Sequence, residues 1–496
     1  MSATATPPTQ AGAPHGAGLD RDLMLVSSVI VLGAIMSILD VTVVNVAINT
    51  LAQEFQTPLA TIQWVATGYT LALSTVIPIT GWAADRFGTK RLYMTSITLF
   101  VCGSVLSGLA WSAGSLIFFR VLQGLGGGML MPLGMTILTR AAGPQRVGRV
   151  MAVIGVPMLL GPIVGPILGG WLVDDFSWRW IFFINLPIGI AALIASLRIL
   201  PRDVPQAHHL LDWRGLALLS PSLALTIYGL AESSSNGFGE VKVLGPIAVG
   251  VVGLALFVRH ALRHAEPLID LRLFVNRTFS AASSTLMLMV IAVFGGMLLL
   301  PLYLQAVRGE SAMDTGLLLA PQGIGAMIAM PIAGRLTDMT GVGKIVPFGL
   351  VAVGLSFLGL TQLEADTSYW LLSAELFVMG VGMGFAMMPT FSGAMQTLRR
   401  AAIARASTTL NIIQQVGASI GTAVLSVILS SKLGSLTAGG DPVDRAGAFG
   451  ATFWWALALL VVAVLVATLL LPRQRPDPVD DPDDGGPEAA AMMLAG

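Results

Sequence analysis

Charge is what this chain has least of. Lys, Arg, Asp and Glu supply 11% of its 496 residues, where soluble domains carry about 25%. A surface made from so little charge is not built for water. The charges also cancel, 27 basic against 27 acidic, which removes the basic field that a nucleic acid would need. Cysteine occurs once, at Cys102 within an apolar run, so a disulfide framework and a Cys-rich metal centre are both excluded. The five histidines, His15, His208, His209, His260 and His264, fall in tails and polar loops. No metal is expected there, the adjacent His208–His209 pair included. The phosphate-loop pattern G-x-x-x-x-G-K-[ST] is missing, and the loops are too short for a nucleotide-binding domain. No nucleophile–base set stands in the apolar runs. The chain is therefore expected to be neither an enzyme nor a cofactor protein, and any work it does would draw on an ion gradient.

Apolar residues are what it has in excess, at 55% of the chain. A bilayer-spanning helix needs roughly 20 of them, and fourteen such runs fit between residues 24 and 471. An even number returns both termini to one side. Of the 27 Lys and Arg, 21 fall in the tails or in the loops of that side, five in the opposite loops, and Arg120 inside a run. The positive-inside bias then places both termini in the cytoplasm, with the chain multi-pass in the cell (inner) membrane. The first apolar run is too long for a signal-peptide core and is expected to be retained.

A duplicated stretch organises these runs. Pro78, Gly81, Asp85 and Gly88 form the pattern P-x2-G-x3-D-x2-G, and Pro331, Gly334, Asp338 and Gly341 repeat it 253 residues later. One unit was built twice. The same offset lays runs 1–6 onto runs 9–14 and leaves runs 7 and 8 as an insertion. The expected fold is an all-α membrane protein of two six-helix bundles plus two inserted helices. Its parts are a disordered tail at 1–20, a bundle at 21–200, the inserted pair at 201–272, a bundle at 273–472 and an acidic disordered tail at 473–496. Parallel six-helix halves with a site between them are a transporter plan. In the duplicated turn, glycines allow the tight bend, and an acid beside a helix N-terminus is favoured by about 0.3–1 kcal/mol. Asp85 is expected to latch onto the start of run 13 and Asp338 onto the start of run 5, with Arg86, Lys90 and Arg91 as basic anchors.

Three charges stand well inside runs: Asp40, Arg120 and Glu375. A charge at mid-helix costs about 2.5–3.5 kcal/mol on insertion scales, so each is a functional candidate facing the bundle interior. Asp40 lies roughly 14 Å and Arg120 roughly 8 Å below the outer ends of their runs at 1.5 Å per residue. An Arg side chain can close that gap. A carboxylate that is paired in one state and wetted in another can load and lose a proton as a cavity switches sides. Glu375 falls near the repeat counterpart of Arg120, whereas Asp40 maps onto Val293. Glu375 is open to two roles, attraction of a cationic substrate or proton carriage. In run 5, Gly161, Gly165 and Gly169 recur every four residues and line one helix face. Pro157, Pro162 and Pro166 each remove a backbone donor and bend the helix; together they predict a hinge or seal. Run 13 carries Asn411, Gln414 and Gln415, which suit either hydrogen bonds to a ligand in the cavity or interhelical glue. The Gly124–Gly128 run serves close helix packing.

These residues resemble the major facilitator superfamily, and more narrowly its fourteen-span drug:proton antiporters, the EmrB/QacA-like branch. Leu39-Asp40-Val-Thr42-Val-Val-Asn45-Val46-Ala47 is similar to that branch's first-helix motif, Gly81 to Leu92 to the superfamily's loop motif, and Arg120-Val-Leu-Gln123-Gly124 to the fourth-helix motif. The Gly161–Gly170 stretch resembles the antiporter motif of the fifth helix, and Trp178-Arg179-Trp180-Ile181-Phe182 with Asn185 also looks like this branch. The branch's first-helix motif usually ends in Leu-Pro, where Ile48-Asn49 stand here. The likeness implies a major-facilitator fold, proton coupling through Asp40 and Arg120, and a substrate cavity between the halves with Asn45 among its lining candidates.

Together these readings predict a proton-coupled exporter of small lipophilic molecules, working by alternating access as in multidrug or antibiotic efflux; a cationic substrate is left open, and Glu375 alone late in the fold speaks against broad export of dications. The rivals are a proton-coupled symporter importing a nutrient or iron chelate, and a non-transporting membrane receptor or scaffold.

Overall fold

A computed structural model describes residues 21–142, 146–201, 211–264, 267–398, 402–434 and 441–472. Both tails lie outside them. Every regular element among the described residues is helical, as it must be where no water is at hand to satisfy the backbone. The first group holds α1 (Arg21–Glu54), α2 (Leu59–Ile62), α3 (Trp64–Phe87), α4 (Thr89–Gly108), α5 (Ala113–Ala142), α6 (Val147–Asp175), α7 (Trp180–Phe183) and α8 (Asn185–Ile199). A hairpin of α9 (Trp213–Asn236) and α10 (Val241–Arg263) follows. The last group holds α11 (Arg277–Ala306), α12 (Ala312–Thr340), α13 (Val342–Leu360), α14 (Tyr369–Gln396), α15 (Ile403–Gly434) and α16 (Pro442–Leu470).

Eleven helical stretches among the described residues are long and apolar enough to cross a membrane. Helices α3 and α4 span 24 and 20 residues, but Ser, Thr and Gly interrupt their apolar content. The outer faces expose large apolar side chains, such as Phe348 and Leu355 on α13 and Leu256 and Leu262 on α10, a surface suited to lipid. Inside, several hydroxyls are satisfied by their own helices. Ser74, Thr136 and Thr390 donate to the carbonyl four residues back at 2.8, 2.8 and 2.6 Å, so they add polarity without a desolvated orphan.

The duplication is visible in the backbone. Moved by 253 residues, the end of α3 falls on the end of α12 and the start of α4 on the start of α13. Gly88 and Gly341 close the two equivalent turns at φ 86° and 84°, where a side chain would be strained. The N–H of each donates to the carbonyl four residues back at 3.0 Å.

The groups meet along α6 against α12 and α14, and along α15 against α3 and α5. Their contacts gather toward the face that carries the two duplicated turns, here called the turn face. Ser407 near the start of α15 donates to the Pro132 carbonyl of α5 at 3.0 Å. A Cβ on Gly155 of α6 would stand 2.6 Å from Met330 of α12 and from Met388 of α14. The hairpin seats α9 on both α3 and α15: Ser220 donates to the Thr75 carbonyl at 2.7 Å, and Tyr228 stacks on Trp64 with ring centroids 5.7 Å apart.

Candidate functional site

Asp40 of α1 and Arg120 of α5 meet in the interior of the first group, each about 1% exposed. Arg120 Nη1 donates to Asp40 Oδ2 at 2.5 Å. Three residues on and on the same face of α5, Gln123 Nε2 donates to Asp40 Oδ1 at 2.7 Å, while its Oε1 accepts from Arg120 Nη1 at 2.8 Å. From the first turn of α8, Asn185 Nδ2 lies 3.4 Å from Asp40 Oδ1 and 3.0 Å from Ser104 Oγ of α4. Ser104 in turn donates to the Phe182 carbonyl at 2.9 Å. Arg120 Nε donates to the Val65 carbonyl of α3 at 3.2 Å, and its guanidinium lies 4.1 Å from the Tyr69 ring centroid. Tyr69 shares a 3.4 Å hydrogen bond with Ser37 of α1. A buried ion pair holds only when its remaining donors and acceptors are met; here α3, α5 and α8 supply them directly.

Small residues let those helices come close enough. Gly124, Gly126 and Gly128 stack α5 between two neighbours: added Cβ atoms would stand 2.5 Å from the Tyr69 carbonyl oxygen, 2.5 Å from the Phe100 nitrogen and 2.6 Å from the Leu73 carbonyl oxygen. On the other side of Asp40, the α6 stripe of Gly161, Gly165 and Gly169 lies against Ile38, Thr42 and Val43 of α1. The stripe thus holds the very turn of α1 that carries the carboxylate. That same α6 is the helix that packs on α12 and α14.

The other sequence candidates are more scattered. Asp85 accepts from Arg140 of α5 at 3.2 Å, and Gly81, one turn earlier, lies against Ala404, Arg405 and Thr408 of α15. The turn therefore bears on the start of run 13 through its glycine, while the resolved ion pair of its acid stays within the first group. Lys90 donates to the Leu197 and Leu200 carbonyls at 2.9 and 2.6 Å, capping the C-terminus of α8; Arg86 and Arg91 are exposed. In the second turn, Gly334 and Asp338 are buried on α12, the helix that packs on α6. Asn411 donates to the Ser407 carbonyl at 2.8 Å and lies 3.5 Å from Met135 Sδ of α5, a contact across the seam between the groups. Gln414 beside it is buried and Gln415 half-buried. Glu375 is half-buried, with its carboxyl against Gly359 of α13. It is turned toward a helix of its own group instead of toward the seam where a substrate cavity was expected. The side chains of Asn45, Pro157, Pro162 and Pro166 lie outside the described residues.

Sequence reasoning paired Asp40 with Arg120 but missed Gln123, Asn185 and Tyr69 as partners of the pair, and Ser104 behind Asn185. Gln123 carried a usable signal, its three-residue spacing from Arg120. Tyr69 and Ser104 carried none, being unremarkable residues in apolar helices.

The family model described as Major Facilitator Superfamily matches residues 30–422. Among curated proteins, the chain is 48% identical to the "Multidrug resistance protein B homolog" of Mycobacterium tuberculosis, covering 86% of this chain and 80% of that protein. It is 32% identical to the "Multidrug export protein EmrB" of Haemophilus influenzae, covering 85% and 82%. To the "Tetracenomycin C resistance and export protein" of Streptomyces glaucescens it is 31% identical, covering 82% and 76%. Among solved structures, the human organic anion transporter MFSD10 superposes with a TM-score of 0.65 at 15% identity, covering 90% of this chain and 100% of that one. The proton:xylose symporter XylE does so with 0.62 at 13%, covering 92% and 97%. At such identities these two speak for the fold alone. From the extent of the family match and the identity to its curated relatives, the chain belongs to the major facilitator superfamily.

Proposed function

We propose that the chain is a fourteen-span, proton-coupled antiporter of the EmrB/QacA-like branch that exports small lipophilic molecules, drugs or antibiotics, by alternating access. The observation that carries this reading is the buried Asp40–Arg120 pair at 2.5 Å, bridged by Gln123. The names of its relatives supply the substrate class. The turn face is taken as cytoplasmic, from the Lys and Arg bias, and the contacts that gather there represent one end of the rocking motion. No cofactor enters the cycle; the proton gradient drives it.

The geometry suggests how a proton could move the bundles. Protonating Asp40 cancels the charge that Arg120 pairs with. The guanidinium keeps the Val65 carbonyl, the Gln123 carbonyl oxygen and the Tyr69 face, so it is not stranded. The α1–α5 tie weakens while α1 stays seated on the glycine stripe of α6. Since α6 also packs on α12 and α14, a shift of α1 relative to α5 is felt at the seam. Proton entry from outside would favour release outside, and proton loss inside would reset the pair.

Inside-out membrane vesicles test this. With the lumen acidified and a panel of lipophilic antibiotics and dyes offered outside, antiport predicts luminal accumulation that a protonophore collapses. Accumulation in right-side-out vesicles instead would make the chain an importer. A protein that moves nothing in either orientation would be a receptor or scaffold.

A further inference from the structure

At the turn face, the inserted hairpin brings together three side chains that the transport reading does not use. Asp212 precedes α9; His260 and His264 stand at the end of α10, one helical turn apart. The His264 N–H donates to the His260 carbonyl at 3.0 Å, so the turn between them is formed, and their rings lie 5.1 Å apart by centroid. One ligand atom from each of the three residues falls within 4.8 Å of the others.

Asp212 is held in place for a role of this kind. It is 6% exposed, and its carboxylate accepts from the Gly215 N–H at 2.8 Å and the Leu268 N–H at 3.3 Å. Such outer hydrogen bonds are what orient a ligating carboxylate. His260 Nε2 lies 2.9 and 3.1 Å from the two oxygens of Asp212. Donor atoms at about 2.0–2.1 Å from a tetrahedral ion are spaced about 3.3 Å along the polyhedron edge. Two of the three donors thus already stand near the required separation. The third, His264, is exposed, with a ring nitrogen within 4.8 Å of both.

We propose that Asp212, His260 and His264 form a binding site for a divalent cation of the zinc class, with water at the fourth position. Two imidazoles and one carboxylate select a borderline ion over Mg2+ or Ca2+, which take oxygen donors. The ion would take the place of the proton that His260 shares with Asp212. It would staple the entry to α9, the end of α10 and, through Leu268, the start of the connection to the last group. The apolar cluster beneath, with Phe257, Ala261 and Leu268, reaches Trp82 of α3 and Ile412 of α15, so occupancy would stiffen the seat on which both groups rest.

The test uses the full chain, purified through a tag without histidine, stripped with chelator and placed in lipid nanodiscs. Co2+ is titrated by its visible absorption, Zn2+ by competition with a chromophoric chelator, and thermal unfolding is followed with and without Zn2+. The expected result is saturable binding of a single ion, a tetrahedral Co2+ spectrum and a raised midpoint of unfolding. Loss of an outer-shell partner costs about 10–100-fold in affinity, so His264→Gln and His260→Gln should each weaken binding by at least that much. In His264→Gln, Zn2+ should no longer raise the unfolding midpoint at concentrations that raise it in the unmodified chain. The double variant His208→Gln/His209→Gln should bind as the unmodified chain does. Absence of stoichiometric binding overturns the proposal. So does binding that survives both His260→Gln and His264→Gln, or that disappears in the His208/His209 variant.

Discussion

One carboxylate, Asp40, carries the proposed chemistry, and its environment makes opposite demands on its partners. Removing Arg120 alone leaves a buried anion without its counter-charge, which costs about 3–5 kcal/mol in known cases. Arg120→Gln is therefore expected to lower the thermal unfolding midpoint and the yield of folded protein. The double variant Asp40→Asn/Arg120→Gln, neutral at both positions, should recover most of that loss, as unfolding of the four proteins of the cycle would show. Gln123→Leu removes a donor to the Asp40 carboxylate at 2.7 Å, a change worth about 1–3 kcal/mol. It should slow proton-driven export while the chain still folds. The pairing of Asp40 with Arg120 was legible in the sequence because a charge in a span is costly enough to need a partner, and helix rise gave their depths. Gln123 stood in the fourth-helix motif with no role given to it, and Ser104 was not singled out: a neutral amide or a hydroxyl in a span is cheap, and nothing in its cost demands a role.

At the scale of the helix, the α6 glycine stripe is the part most exposed to test. A Cβ on Gly161 would collide with Ile38, and one on Gly165 with Thr42. Overpacking of this kind costs about 1–3 kcal/mol, here spent in pushing the Asp40 turn of α1 away from α6. Gly165→Val should abolish export while the protein still reaches the membrane. Gly170→Ala, one position past the stripe with nothing within 4 Å of its added carbon, should export normally; drug susceptibility of cells carrying each variant compares them. The stripe itself was plain from its four-residue spacing. Its partner was not, since spacing marks a face without naming what covers it. The turn shows a similar limit. The glycines at 88 and 341 were readable as tight bends. That Lys90 caps α8, and that Arg140 is the ion-pair partner resolved for Asp85, depends on which helix ends the fold brings beside them.

For the molecule as a whole, the duplication was legible because a repeated motif at a fixed offset survives even where the rest of the two halves has diverged. The side toward which Glu375 turns could not be read, because α13 and the seam flank the same helix α14. Contacts at the turn face are expected to hold the two groups together in one state. The Asp85–Arg140 pair lies within the first group and is partly exposed, with Arg140 at 26%, so it adds no more than about 1 kcal/mol to that group's own packing; what the turn sets against the other group is Gly81. In a Cys102→Ser background, Ser407→Cys should react slowly with a membrane-impermeant thiol reagent applied at the turn face, and Gly81→Val, whose added carbons would meet Thr408 and Ala404 of α15 across the seam, should speed that reaction. An unchanged rate would mean that the turn does not govern closure. The central claim, that Asp40 carries the proton exchanged for cargo, is tested most directly in liposomes loaded with a pH-sensitive dye. The unmodified chain should release luminal protons when a transported compound is added outside and should accumulate that compound against its gradient. Asp40→Asn should lose both, yet still exchange labelled for unlabelled compound at equilibrium. Proton release and uphill accumulation at the unmodified rate in Asp40→Asn would contradict the account.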